Sequence, residues 1–149
     1  MPLNRRSRLQ AKVGLVRRSP LRSKGKGQGS GRDTGPDRAT RDLVMERDDW
    51  RCVACSKVVL NQPYSLQHRQ ARGMGGTSDP AANSPVNLIV LCGTATSPDG
   101  CHFWCEERNT EARDLGYWVP SWEDPATVPV HHAVHGLVYL TDDGEVRPV

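Results

Sequence analysis

Cys52, Cys55, Cys92 and Cys101 are spaced to share one metal ion, and His68, Asn87 and His102 lie between and beside them. The two sets suit different chemistry. Cys52 and Cys55 are separated by two residues, so one tight turn can aim both sulfurs at a tetrahedral ion, and Cys92 and Cys101 can complete its four ligands. Zinc is the ion expected there, in a structural role. The second pair is separated by eight residues, Gly-Thr-Ala-Thr-Ser-Pro-Asp-Gly, where about two to four are usual. That stretch is rich in turn formers and reads as an insertion that need not disturb the ligands at its ends. Cys105 lies four residues past Cys101, one helical turn on, and is the alternative fourth ligand; Cys101 is favoured. The two histidines and the asparagine can build a second site that does chemistry.

Disulfides and redox chemistry compete with the metal reading. The only apolar run near the N-terminus is Val13 to Val16, too short for the core of an export signal. The thiols are therefore expected to stay reduced, in a cytoplasmic setting. A thioredoxin-like motif needs a βαβ context, and none surrounds Cys52.

With 149 residues, 5% aromatic content, 14 Gly and 11 Pro, and a mean hydropathy of −0.61, the chain has a poor recipe for a large core. A metal staple compensates for that. No segment is long enough to span a membrane. The net charge of +3 conceals a division. Residues 1–30 carry nine basic side chains, among them Arg5, Arg6, Arg17 and Arg18, and no acidic ones; the remainder carries 11 basic and 17 acidic groups. Residues 1–37 are expected to form a disordered basic arm. Its functional reading is phosphate binding with counterion release; a solubilising tail and a transit peptide are the alternatives.

The elements that must position the candidate residues follow from local pattern. Asp37 or Thr40 can cap a helix running towards Trp50, with Leu43, Val44 and Arg47 at helical spacing. Tyr64 to Arg69 reads as a strand. Gly73, Gly75 and Gly76 open a loop that continues through Pro80 and Pro85. Leu88 to Leu91 reads as a buried second strand. Trp104 to Leu115 reads as a helix closed by Gly116. Gly136 to Leu140, followed by Thr-Asp-Asp-Gly144, reads as a terminal hairpin.

Leu66-Gln-His-Arg69, Arg72-Gly-Met-Gly-Gly76, Ser84-Pro-Val-Asn-Leu88, Leu91-Cys-Gly93 and Gly100-Cys-His102 together resemble the HNH endonucleases, in the variant found in actinobacteria and their phages. The matched region spans roughly residues 41–116. Asp124-Pro-Ala and Val138-Tyr-Leu-Thr-Asp-Asp-Gly144 resemble the tail of that variant. The resemblance implies an α+β fold: a ββα-metal core over residues 38–116, stapled by zinc, with a short β extension over 117–149. It implies His68 as general base, Asn87 as the residue that orients it, and His102 as ligand of a catalytic Mg²⁺ or Mn²⁺. It implies DNA as the partner, with Arg69 and Arg72 clamping phosphates, and phage packaging or other DNA-processing proteins as further partners. One departure stands out. Many HNH enzymes carry Asp or His before the base, as a cation ligand; Gln67 stands there, and an amide oxygen is a weak ligand.

His131, His132 and His135 are read as surface or packing residues, and Trp118 and Trp122 as covers for the small core. Two function classes follow. One is a metal-dependent endonuclease or nickase; the other is a zinc-stabilised DNA-binding module without catalysis. A protein-interaction knuckle is a third.

Overall fold

The computed structural model describes residues 35–149, apart from 74–76 and 78. The basic arm with Arg5, Arg6, Arg17 and Arg18 lies outside the described residues, and so do Gly75 and Gly76. Asp33–Val149 form one compact unit, so the segment after Gly116 is an integral layer of the fold.

Helix α1 (Arg38–Arg47) begins where Asp37 Oδ1 accepts from the Thr40 amide at 2.8 Å, which settles the capping residue. Its Val44, Met45 and Arg47 face inward, while Leu43 is left exposed. Strands β1 (Tyr64–His68) and β2 (Leu88–Cys92) pair antiparallel, with Tyr64 opposite Cys92 and His68 opposite Leu88. All five residues of β2 are buried, as its unbroken apolar run requires, and α1 packs on it. Two short 3₁₀ turns, Pro80–Asn83 and Pro85–Asn87, lead from the long loop into β2.

The expected single helix after the last cysteine ligand is two helices. α2 (Cys101–Glu107) starts three residues earlier than Trp104 and packs on both β1 and β2. Arg108, at φ −118° and ψ 60°, breaks the turn before α3 (Asn109–Asp114). Gly116 ends the run at φ +75°, and a Cβ there would sit 2.0 Å from the Pro129 carbonyl oxygen, so only glycine fits. The C-terminal sheet has three antiparallel strands. The expected hairpin is β4 (Gly136–Leu140) with β5 (Val146–Pro148), and β3 (Val130–His132) adds to its other edge. Trp122 is 76% exposed and does not cover the core, whereas Trp118 is half-buried against it. No helix among the described residues is long and apolar enough to cross a membrane.

A small chain with few apolar residues closes its interior with buried polar links. Asp48, fully buried, accepts from the Arg47 guanidinium at 2.7 and 3.1 Å, from the Val90 amide at 2.9 Å and from His132 Nε2 at 3.2 Å. His132 Nδ1 accepts from the Val134 amide at 3.1 Å, so its proton sits on Nε2. Burial alone would raise the Asp48 carboxyl, but the bonds from His132 and Arg47 outweigh it and hold the group below its usual range. His135, itself exposed, also reaches α1, with Nε2 2.7 Å from the Arg47 carbonyl oxygen. The histidine cluster therefore packs α1 against the C-terminal sheet, with His131 left on the surface.

Candidate metal centre and catalytic cleft

Cys52, Cys55, Cys92 and Cys101 converge, with all four sulfurs within 4.8 Å of one another. A zinc tetrahedron with sulfurs at ~2.3 Å has edges of about 3.8 Å, and the Cys55 and Cys92 sulfurs are 3.8 Å apart. The donor set therefore fits a metal held by four thiolates. Each ligand is placed by local backbone. Cys52 and Cys55 bracket a turn closed by the Ser56 amide on the Cys52 carbonyl at 2.8 Å. Cys92 ends β2, and Cys101 begins α2 with its amide 3.5 Å from the Cys92 sulfur.

The eight-residue insert leaves these ligands undisturbed because its ends touch. A Cβ on Gly93 would come within 2.8 Å of the Gly100 Cα, and one on Gly100 within 2.9 Å of the Cys92 carbonyl oxygen. Cys105 is excluded from the cluster: it is fully buried and its sulfur lies 3.9 Å from the Tyr117 carbonyl oxygen. Within the cluster, a hydrogen bond from the Cys101 thiol is the main cause that pushes Cys52 down to about 5. Giving that bond pushes Cys101 up, and burial pushes Cys55 up. A thiol pushed down in this way suits a site for a cation.

The two candidate histidines meet elsewhere. His68, at the end of β1, and His102, in the first turn of α2, line one open cleft of about 800 Å³, together with Gln67, Glu106, Arg41 and Arg72. The pairing of β1 with β2 and the packing of α2 across both strands bring them to the same cleft. Burial lowers the pKa of His68, against the pull of its bond to Asn83, and Arg72 lowers it further. Burial likewise lowers that of His102, opposed by Glu106. Both rings are thus biased to the neutral form, the state in which imidazole can accept a proton or bind a cation. His102 Nε2 lies 3.8 Å from Glu106 Oε1, while its Nδ1 is buried without a hydrogen-bond partner.

One sequence expectation is corrected by the contacts, and two are refined. Arg69 does not reach into the cleft. It is fully buried, and its guanidinium donates to four carbonyls: Gly116 at 2.7 Å, Val86 and Pro125 at 2.9 Å and Val128 at 2.7 Å. Burial and the nearby Arg47 push it down to about 9, still well above neutrality, so it remains a cation. Asn87 is not the bonded partner of the His68 ring. Its Oδ1 accepts from the Gln70 amide at 2.6 Å, and its Nδ2 donates to the Ala82 and Gln70 carbonyls at 2.9 and 3.1 Å, closing the long loop. Gln67 turns its amide nitrogen to Glu106 Oε1 at 3.0 Å and to the His68 carbonyl at 3.2 Å, so it serves as a donor within the cleft wall.

Two residues that the sequence reading did not single out stand beside the candidate histidines. Asn83 Oδ1 sits 3.0 Å from His68 Nε2. Glu106 puts a carboxylate into the cleft one helical turn after His102, and that spacing was the only signal for it. Among the described residues, the thiol cluster is the one convergent group of three or more metal-ligating side chains. The cleft therefore offers a cation two side chains, His102 and Glu106. Comparison with family models, with curated proteins and with solved structures gives no match.

Proposed function

We propose that the chain is a metal-dependent DNA endonuclease or nickase of the HNH type, with zinc as the structural ion of the four-cysteine cluster. The observation that carries this reading is the convergence of His68 and His102 on one cleft, apart from the thiols. A binding module has no use for two neutral imidazoles in one cleft. The strand–strand–helix order of β1, β2 and α2 supports the same reading.

In this reading a phosphodiester enters the cleft between the guanidinium groups of Arg41 and Arg72. His68 takes a proton from a water, the water oxygen attacks phosphorus, and the bond from phosphorus to the 3′ oxygen breaks. The departing 3′ oxygen leaves with a proton from solvent, so the products are a 5′-phosphate and a 3′-hydroxyl. His102 and Glu106 would hold Mg²⁺ or Mn²⁺, which when bound supplies positive charge to the phosphoryl and leaving oxygens. With only two protein ligands, affinity for the cation is low until DNA adds its own oxygens, as suits an ion that keeps several waters.

The two-ligand cleft also favours a second reading, a zinc-stabilised DNA-binding module without catalysis. A supercoiled plasmid separates the two. The nuclease gives nicked or linear product with Mg²⁺ or Mn²⁺ and none with EDTA, and His68→Ala abolishes product while the fold is retained. Gel shifts that survive both EDTA and His68→Ala, with no cleavage in any metal, would establish the binding module instead.

A further inference from the structure

Asn83 closes the 3₁₀ turn Pro80–Asn83, and its Oδ1 lies 3.0 Å from His68 Nε2. An amide oxygen only accepts, so Nε2 must carry the ring proton and donate it. The lone pair of the neutral ring is then on Nδ1. Resting on the nuclease reading, we propose that Asn83 is a positioning residue: it holds the His68 ring in the Nε2–H tautomer and leaves Nδ1 as the atom that takes the proton from water.

The loop is built to hold this contact. Asn87 ties the Ala82 carbonyl, next to Asn83, to both the amide and the carbonyl of Gln70, two residues past His68. The two asparagines therefore act in series. Asn87 fixes the gap between the end of β1 and the loop, and Asn83 spans that gap to the ring. The charged or titratable groups that share the cleft with His68 are Arg41, Tyr64, Arg72, His102 and Glu106. The two arginines can only donate, so neither can take Asn83's place as an acceptor for Nε2–H.

The test uses the full chain with ¹⁵N-labelled histidine, without DNA or added divalent cation. Wild type should show a slowly exchanging ring proton on Nε2 of His68, assigned by its disappearance in His68→Ala. Asn83→Ala should lose that signal and Asn83→Asp should keep it, because a carboxylate oxygen is also an acceptor. In plasmid cleavage, Asn83→Ala should lower kcat about 10–100-fold, the range for losing a partner that orients a functional histidine. KM should change little, and Asn83→Asp should recover most of the rate. Unchanged circular dichroism and zinc content exclude unfolding as the cause. A ring proton on Nδ1, or an Nε2 proton that survives Asn83→Ala, overturns the proposal. A ring proton that behaves as expected in a chain that cleaves nothing proves the hydrogen bond but overturns the catalytic role, and with it the nuclease reading.

Discussion

Replacing Arg69 tests whether this residue is structural or belongs to the DNA-binding surface. Its four donated bonds fall into two groups. Those to Gly116 and Val86 are buried, while those to Pro125 and Val128 are part-buried, where water can replace the guanidinium. A buried carbonyl left without a donor costs about 1–3 kcal/mol, so the two enclosed carbonyls set the loss in Arg69→Met at about 2–6 kcal/mol. Relief from holding an unpaired buried cation works against this, which places the net in the lower half of that range. Against a typical stability of about 5–15 kcal/mol, that is a large fraction. Arg69→Lys should do little better, because an ammonium has three donors on one point and cannot reach four carbonyls from separate segments. Urea unfolding followed by circular dichroism measures the loss. A stability for Arg69→Met within about 0.5 kcal/mol of wild type, the scatter of ordinary surface substitutions, would refute the structural role. The same variant, studied where it remains folded, should keep the salt dependence of DNA affinity. Arg72→Met should instead flatten the slope of log affinity against log salt by about one.

Cleavage should depend on pH through His68. Its pKa is lowered by burial, so the ring is already neutral above its ordinary value of ~6.5. The rate should therefore rise as pH climbs through a point below ~6.5 and level off by about pH 7, as measured by initial nicking rates at fixed metal; a rate still rising at pH 8 would contradict it. Cys92→Ser should lower zinc content below one per chain and unfold the domain, whereas Cys105→Ser should leave zinc content unchanged, both read by metal analysis beside circular dichroism. Asp48, held below its usual range, contributes stability that is present above ~3.9 and is lost as pH falls through its folded value. Acid unfolding should thus begin below about pH 4, and Asp48→Asn should blunt this dependence while lowering stability at pH 7.

The thiol cluster was legible because ligand spacing within a turn is local, and β2 because five apolar residues in a row have one place to go. The capping of α1 and the ββα order followed from similarly short-range signals. What stayed hidden depends on contacts between distant segments. The partners of Arg69 are four backbone carbonyls from three segments of the chain, and a carbonyl carries no signature in sequence. An arginine at the end of a strand beside a candidate base is most simply read as facing the substrate. Asn83 lies fifteen residues from His68, across a loop whose path no periodicity reveals. Asn87 was expected to orient the ring of His68, but its own partners are Gln70 and Ala82. The break at Arg108 was hidden too, since the helical pattern runs through it without a glycine or proline.

The central claim is that the rings of positions 68 and 102 act together on one phosphate. Single-turnover cleavage of plasmid DNA by His68→Ala, His102→Ala and the double variant, each with its zinc content verified, tests it most directly. Each single change should reduce the rate at least about 100-fold, in the range for a general base or a metal ligand, and the double should be little worse than either single, as for groups that work as a unit. Folded single variants that cut at the wild-type rate, or single losses that simply multiply in the double variant, would contradict the account.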